Sequence, residues 1–506
     1  MRSLVARVAA VATVVVVCSA HVGSPDAWYE GSAGPYHVVV QIVTPGVVPG
    51  VANVFTRVSG PGVEQVTVQA NRFDALAAAP PPEVAEPVEG DAGLYAAPLW
   101  IMSGGSNSVT VNVSGSLGAG KAIVPVVVVA NRRLELDSKL AVPLTAVGVF
   151  LFVGLITIIG AAVRESVLPP GETPDARRKW KARVAMGATG ALVALALFGG
   201  SRWWNLEDSR FNNSIYKPFT ASALIGADGR SLDFRLSDSV WTMRNDSAWL
   251  RKHSSNRYTP LIPDHGKLIH VFMIREPDLL AFAHLHPPTT DSVSFLSALP
   301  SLPAGSYRVY GDIVHESGFT QTLSTRVDIP EPVKASATKT DPDDASHVAP
   351  TAPSATTATL EDGSVMTLEG GANFVEGRNA SLRFRVVGPD GKALALEPYI
   401  GMAGHGVVSR DDGAVFVHLH PSGTISMASQ LAFMMRQPGD SVAGRLGQRI
   451  QASEASHSMT AIPQNGVISF PYAFPKPGKY HMWVQVKHGG RILTGVFAFE
   501  VQPAKA

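Results

Sequence analysis

The sequence predicts a mainly β protein with three Ig-like or cupredoxin-like β-sandwich domains and a hairpin of two transmembrane helices. Short β-branched runs alternate with turns over most of the 506 residues, which include 47 glycines and 37 prolines. Two long segments contain no charged residue, and two later stretches share one pattern of histidines. Short strands between turn residues are typical of sandwiches, and uncharged runs of about 20 residues are typical of membrane-spanning helices.

Residues 1–20 have the features of a signal peptide. Arg2 and Arg7 make the start positive, an apolar run follows, and small residues precede a cleavage site after Ala20. Cleavage there would make His21 the first residue. An uncleaved anchor and a lipoprotein modified at Cys18 are the alternatives. Cys18 is the only cysteine, so a metal in the cleaved chain would be held by histidine, methionine or carboxylate.

Residues 140–163 and 184–201 predict the two transmembrane helices, with a buried core helix as the alternative for each. Both runs are long enough to cross about 30 Å of hydrocarbon. Because positive loops stay in the cytoplasm, the loop 164–183 is predicted to be cytoplasmic and both flanks extracytoplasmic. This topology fits the bacterial cytoplasmic (inner) membrane. The cations of the loop are Arg164, Arg177, Arg178, Lys179, Lys181 and Arg183.

Three β-rich units are predicted outside the membrane. Residues 21–131 form the first, residues 205–333 the second and residues 359–503 the third. Residues 335–358 consist mostly of Ala, Ser, Thr, Pro and Asp. Such a composition predicts a flexible linker between the second and third units.

The second and third units repeat one order of motifs. A single histidine is followed 14 or 13 residues later by a His-Leu-His-Pro segment, then by a tyrosine, and by a last histidine eight residues after that tyrosine. Recurrence of this kind indicates an internal duplication. The first copy contains His270, His284, His286, Tyr307 and His315, and the second contains His405, His418, His420, Tyr480 and His488.

The His-Leu-His spacing points to metal binding. On a strand, residues i and i+2 lie on the same face, so the two imidazoles can share one ion. The four histidines of each copy are therefore the candidate ligands, and a structural imidazole network at the turn is the alternative. His265 and His481 are secondary candidates that we expect to be structural or exposed.

The type of ligand bears on the metal. Nitrogen ligands without thiolate suit Cu(II), Zn(II) or Ni(II). Nearby methionines favour copper, although methionine is also a common core residue, and zinc is the alternative. The methionines are Met273, Met402, Met427, Met434, Met435 and Met459.

His21 is a separate candidate. After cleavage its α-amine and imidazole would chelate one Cu(II) ion, with Asp26 or His37 completing the site. A terminus without metal is the alternative.

Several segments resemble known groups. Gly34-Pro35-Tyr36 and residues 99–105 are similar to the YtkA-like group of exported β-sandwich domains. Residues 399–406, 415–421 and 483–487 resemble a set of uncharacterised bacterial envelope proteins with duplicated HLHP-containing β-domains. The resemblance implies an envelope location and an Ig-like or cupredoxin-like fold, without an activity. An N-terminal histidine is similar to copper carriers of the CopC type, at the terminus alone.

These features favour a membrane-anchored extracytoplasmic protein that buffers, delivers or senses copper, with another envelope or metal-transport protein as partner. The alternative is an Ig-like interaction or assembly module with structural histidines. A His-ligated metalloenzyme is less favoured, because the sequence has no nucleophile elbow, H-E-x-x-H, P-loop or dinucleotide fingerprint. The formal net charge of +1 gives no reason to expect nucleic acid as a partner.

Overall fold

The computed structural model describes residues 21–22, 26–73, 79–134, 136–227, 229–242, 257–330, 340–437, 440, 444–456, 462 and 465–504. These residues form two compact units, one made of the chain up to 128 and from 218 onward, the other of residues 129–217. The predicted fold class is confirmed, since strands predominate and two long apolar helices are present. The predicted signal peptide lies outside the described residues.

The first unit begins with a two-sheet sandwich. One sheet has the order β2-β3-β4-β8-β7 and the other β10-β9-β5-β6. Alternation along β3 directs Val38, Val40 and Ile42 into the core between them. Its strands are β2 (Asp26–Ala33), β3 (Tyr36–Val43), β4 (Gly50–Ser59), β5 (Val63–Arg72), β6 (Glu83–Val84), β7 (Glu86–Pro87), β8 (Leu94–Ile101), β9 (Gly105–Gly115) and β10 (Gly118–Val128), whereas the preceding β1 (His21–Val22) belongs to another sheet.

The second unit contains the two apolar helices, α1 (Ser138–Glu165) and α2 (Ala176–Ser214). Their most apolar 18-residue windows have mean hydropathies of 2.6 and 1.7, and both helices are long enough to cross a membrane. Asp137 and Asp175 cap their first turns by accepting bonds from backbone N–H groups. Both helices extend beyond the predicted spans 140–163 and 184–201. The cytoplasmic position of the connecting loop remains a prediction.

A second sandwich follows α2. Its sheets have the orders β11-β12-β16 and β13-β17-β14-β15-β19, with β18 paired to β17. The elements are β11 (Ala221–Ile225), β12 (Ser231–Leu236), α3 (Ser239–Thr242), β13 (Leu261–Ile262), β14 (His270–Arg275), β15 (Ala281–Leu285), β16 (Ser294–Ala298), β17 (Gly305–His315), β18 (Thr320–Ile329) and β19 (Ala345–Val348).

Strand β19 corrects the prediction of a flexible linker at 335–358, as far as residues 340–358 are described. It pairs antiparallel with β15, from Ala281↔Val348 to His284↔Ala345. Small residues such as Ala345 and Ala349 are buried there. Backbone hydrogen bonds to an exposed sheet edge therefore order a segment whose composition alone suggested disorder.

The third sandwich has sheets of the orders β1-β25-β24-β27-β28-β22 and β20-β21-β23-β26. Its first sheet takes β1 from the N-terminus, which runs parallel to β25 with His21 opposite Val415. The elements are β20 (Thr357–Thr359), β21 (Val365–Leu368), β22 (Phe374–Val375), β23 (Asn379–Val387), β24 (His405–Arg410), β25 (Val415–Leu419), α4 (Met427–Met435), α5 (Arg445–Ser456), β26 (Val467–Ala473), β27 (Gly478–His488) and β28 (Arg491–Gln502).

The second and third sandwiches contact each other through an apolar cluster, here called the inter-repeat cluster. Tyr310 stacks on Phe416 with ring centres 3.8 Å apart, and Phe282 stacks on Trp483 at 5.0 Å. These rings stand on the faces of β15, β17, β25 and β27 that point away from each sandwich's own core. The cluster consists of Phe272, Ile274, Leu279, Phe282, Tyr310, Val407, Phe416, Trp483 and Val496.

Candidate metal centre

The alternation of strand residues decides where the histidines point. In β14, Val271 and Met273 enter the core of the second sandwich, so His270 and Phe272 face the third sandwich. In β15 the same alternation turns His284 outward, and the next outward position is His286. The third sandwich repeats this arrangement in β24 and β25. Six imidazoles thus continue the outward faces that carry the inter-repeat cluster.

The first trio consists of His270, His284 and His286, all buried. The Nε2 atom of His284 lies 3.1 Å from Nδ1 of His270 and 3.1 Å from Nε2 of His286. The other nitrogen of each ring faces an oxygen. His270 faces the carbonyl of Asp264 at 3.3 Å, His284 faces Oε1 of Gln485 at 2.9 Å, and His286 faces Oδ1 of Asp344 at 3.2 Å. Because these oxygens accept hydrogen bonds, the ring protons reside on that side and the lone pairs face one another.

The second trio consists of His405, His418 and His420. The Nδ1 atom of His405 lies 3.1 Å from Nε2 of His418, as in the first trio. The outer nitrogen of His420 donates to the carbonyl of Ile425 at 3.2 Å. Ligand atoms of the three side chains all lie within 4.8 Å of one another.

Ring geometry is nearly the same in the two trios. The centre-to-centre distances are 5.4, 5.0 and 4.4 Å in the first trio and 5.3, 5.3 and 4.4 Å in the second. Three imidazoles bound at about 2.0–2.1 Å to one ion, at angles of about 90–120°, would have ring centres about 4.5–5.5 Å apart. The ring centres of each trio therefore have the spacing of three ligands around one ion, and in the second trio the ligand atoms also lie within 4.8 Å of one another.

The two trios lie next to each other where the second and third sandwiches meet. The ring of His418 lies 5.2 Å from that of His270 and 5.7 Å from that of His284. Ligand atoms of His270, His284 and His418 also lie within 4.8 Å of one another. The structure thus brings the histidines of both copies into one continuous centre, a point that the sequence left open.

Each copy supplies outer partners to the other copy's trio. Gln485 of the third sandwich accepts from His284 of the second, and Oδ2 of Asp312 in the second lies 3.4 Å from Nδ1 of His418 in the third. Such outer bonds fix the tautomer and orientation of a ligating imidazole. Sequence reasoning missed both residues. The sequence pattern that could have identified them is the repeat itself: Asp312 and Gln485 each lie five positions after the tyrosine of their copy. On the sheet, each is paired with the first histidine of its copy.

His265 joins the second trio, although the sequence analysis ranked it as a secondary candidate. Its side chain is 1% exposed, and its ring lies 5.3 Å from that of His420 and 5.8 Å from that of His405. The Nε2 atoms of all three residues are buried without a hydrogen-bond partner. Asp264 places a carboxylate oxygen 3.7 Å from His265 Nε2. Orphaned buried nitrogens cost about 1–3 kcal/mol each, and a cation shared by His265 and His420 would remove that cost for these two residues.

Burial keeps six histidines of the centre uncharged. Burial, followed by the neighbouring imidazoles, lowers the pKa of His270, His284, His405 and His418 well below the usual value. Burial also lowers the pKa of His265 to about 3 and that of His420 to about 4. Neutral imidazoles near pH 7 have free lone pairs, which is the form that binds metal.

Carboxylates stand at the rim of the first trio. Asp344 accepts from the backbone N–H of His286 at 2.7 Å and faces its ring as well. Lys267 bonds Asp341 at 2.6 Å and pairs with Asp343 at 3.4 Å. These aspartates belong to the segment predicted as a linker, so its low complexity concealed their role.

The prediction that His315 and His488 share the centre is wrong. Each follows Asp312 or Gln485 by three positions, and an odd offset on a strand turns the side chain to the opposite face. His315 is buried between the carbonyl of Thr259 and the amide of Gln321, and His488 bonds the carbonyl of Ala395. The secondary candidate His481 pairs with Asp411 at 2.9 Å.

Two further sets of predicted ligands remain open. The backbone of His21 lies in β1, but its side chain is outside the described part of the structure, so the chelate proposed for it stays a prediction. Met273 packs in the core of the second sandwich, Met402 is buried, and Met427, Met434 and Met435 lie in α4. Met459 lies outside the described residues.

Comparison with known proteins finds one family profile. A profile of a domain of unknown function (DUF8832) matches residues 357–503, which is the third sandwich. No curated protein matches this chain.

Matches to solved structures have low TM-scores. An engineered protein is 22% identical over 18% of this chain and 20% of its own, with a TM-score of 0.15. A tetra-tandem repeat from the extending region of a large adhesion protein is 10% identical over 90% of this chain and 72% of its own, with a TM-score of 0.14. The ICAM-5 D1–D4 ectodomain is 8% identical over 93% and 77%, with a TM-score of 0.15. This chain spans about a fifth of the engineered protein.

Proposed function

We propose that this chain is a membrane-anchored, extracytoplasmic metal-binding protein that buffers, delivers or senses copper through the histidine centre between its two C-terminal sandwiches. One observation carries the proposal. Six buried imidazoles form two matched trios. In the first trio each outer nitrogen faces an oxygen, so the inner nitrogens, 3.1 Å apart, face one another without protons between them. In the second trio Nδ1 of His405 lies at the same 3.1 Å from Nε2 of His418. Facing lone pairs repel in the absence of a cation, whereas a bound ion turns the same geometry into coordination.

Copper is favoured by the chemistry of the donors. Imidazole suits copper, zinc, nickel and iron, and among first-row divalent ions copper binds a given nitrogen site most tightly. The carboxylates at the rim are bonded to a lysine or to outer imidazole nitrogens, so nitrogen dominates the inner surface. Zinc is the alternative that the metal analysis would distinguish.

Membrane anchoring rests on α1 and α2, and the structure adds an argument about their topology. Sequence on both sides of the hairpin builds one compact unit, with β1 in the same sheet as β25. Residues before and after the hairpin must therefore lie on one side of any membrane that both helices cross. We propose that this side is extracytoplasmic, because the connecting loop carries the cations. Alkaline phosphatase fused after residue 504 should be active, and fused at residue 170 inactive; the reverse pattern would contradict this orientation.

Metal analysis of the full-length protein in detergent tests the proposal. The wild type, loaded with Cu(II) and desalted, should retain the metal by elemental analysis, and the double variant His284→Ala/His286→Ala should lose most of it. His481→Ala/His488→Ala is the matched control, because it also removes two histidines but lies outside the centre; it should bind like the wild type. Absence of copper and zinc from the wild type would return the centre to a structural imidazole network.

A further inference from the structure

We infer that the centre holds two unlike metal ions: a retained ion bound by His405, His418, His420 and His265, and an exchangeable ion bound by His270, His284 and His286 with one position open. This inference rests on the proposed metal-binding function and adds the number of ions and their difference. The open position would take a small donor from outside the chain, such as water or a ligand group of a partner that receives the ion.

The first step concerns the number of ions. A single ion between the second and third sandwiches would use His270, His284 and His418, whose ligand atoms lie within 4.8 Å of one another. It would leave the buried Nε2 atoms of His265 and His420 without partners. Two ions, one in each trio, satisfy these two nitrogens and also bring in His286, whose Nε2 lies 3.1 Å from Nε2 of His284.

The second step concerns a duplicated turn just before each first histidine. His265 and Ile400 each lie five residues before it, with φ of +53° and +43°, and a glycine with positive φ follows both. Asp264↔Lys267 and Tyr399↔Met402 form the same antiparallel bridge. Two successive positive-φ residues define a type I′ turn. The duplication therefore has one turn with a histidine and one turn with an isoleucine at the same position.

The third step is the consequence for coordination. His265 presents an unpartnered nitrogen beside the second trio, which brings that set to four imidazoles, the usual number for a closed tetrahedral site. Isoleucine has no donor atom, so the equivalent turn adds no ligand to the first trio. Its neighbour Tyr399 instead places its hydroxyl 3.2 Å from the outer nitrogen of His284. Three ligands and one free position are typical of sites where ligands exchange.

The equivalent turn positions allow two opposite substitutions, one that removes an imidazole and one that adds an imidazole. His265→Asn removes the imidazole but keeps a residue that tolerates positive φ, and Ile400→His adds an imidazole where the β-branched residue is strained. Ile400→Asn is the matched control, because it relieves the same strain without an imidazole. Thermal unfolding of each metal-free variant verifies that it folds.

Copper titration of the full-length protein measures the number of bound ions, and release to a competing chelator measures the difference between them. The centre should bind two equivalents of Cu(II), counted apart from any ion at His21, and release one of them at least about tenfold faster than the other. His265→Asn should make the second release about tenfold faster or more, Ile400→His should slow the first, and Ile400→Asn should leave it unchanged. Binding of one equivalent would overturn the two-ion centre, and equal effects of Ile400→His and Ile400→Asn would overturn the open position. Binding of none would instead refute the proposed function itself.

Discussion

Truncation of Phe416 tests whether the inter-repeat cluster holds the two halves of the centre together. Phe416 is fully buried, stacks on Tyr310 at 3.8 Å and lies 5.5 Å from the ring of Phe272. It stands two residues before His418 on the same face of β25. Phe416→Ala should lower the free energy of unfolding by about 3–5 kcal/mol, of which the aromatic stacking accounts for about 0.5–1.5 kcal/mol.

The assay is denaturant unfolding of the full-length protein in detergent, followed by tryptophan fluorescence, together with copper titration of the folded variant. Copper affinity should fall as well, because the second trio would lose the packing that sets its distance from the first. Phe416→Leu should cost less than half as much, and Trp100→Ala, at a side chain that is 64% exposed, should stay within about 0.5 kcal/mol of wild type. A loss below about 1 kcal/mol for Phe416→Ala, with unchanged copper affinity, would refute this account of the interface.

Three further outcomes follow from contacts elsewhere. His265 and His420 have pKa values of about 3 and 4 in the folded protein, below the ordinary 6.5. Because only the unfolded chain takes up their protons just below pH 6.5, the free energy of unfolding of the metal-free protein should fall by up to about 1.4 kcal/mol per histidine per pH unit as the pH falls toward 4. Equal free energies of unfolding at pH 7.0 and 5.5 would contradict this. Gly423→Ala would place a Cβ 2.0 Å from the carbonyl oxygen of Trp28 and should destabilise the protein, whereas Gly490→Ala, with positive φ but open space around it, reports the backbone strain alone in the same melting experiment. Glu316→Ala removes the acceptor of the backbone N–H of Gly447 at 2.8 Å near the start of α5 and should cost about 1–3 kcal/mol, with faster amide hydrogen exchange in that helix; unchanged exchange would argue against the cap.

Local pattern predicted much of the fold and part of the centre. The two apolar runs predicted α1 and α2, and the i, i+2 spacing placed His284 and His286 together, because both features depend on the period of a single element. The prediction for His315 left out the alternation of side chains between the two faces of a strand. The repeat aligned it correctly with His488, but three positions along a strand from Asp312 reverse the face.

Other features depend on contacts that no local pattern contains. The union of two trios requires aromatic packing between side chains more than 100 residues apart, such as Tyr310 and Phe416. Asp344 lies in a segment of low complexity, and only its pairing beside β15 brings it to His286. His265 lacks a partner histidine in the second copy, so the repeat gave no reason to include it.

The pairing of β1 with β25 has a consequence for how the protein is made. Of the strands in the described residues, the one that leaves the ribosome first lies beside one that leaves almost 400 residues later, with two apolar helices synthesised between them. Strand β2 also holds the turn after His420, through a bond from Glu30 N–H to the carbonyl of Ser422 at 2.8 Å. A nascent chain therefore has an unfilled sheet edge until its last third has reached the same side of the membrane. Completion of the histidine centre is thereby tied to delivery of the whole polypeptide, so a chain stalled after the hairpin holds no finished site.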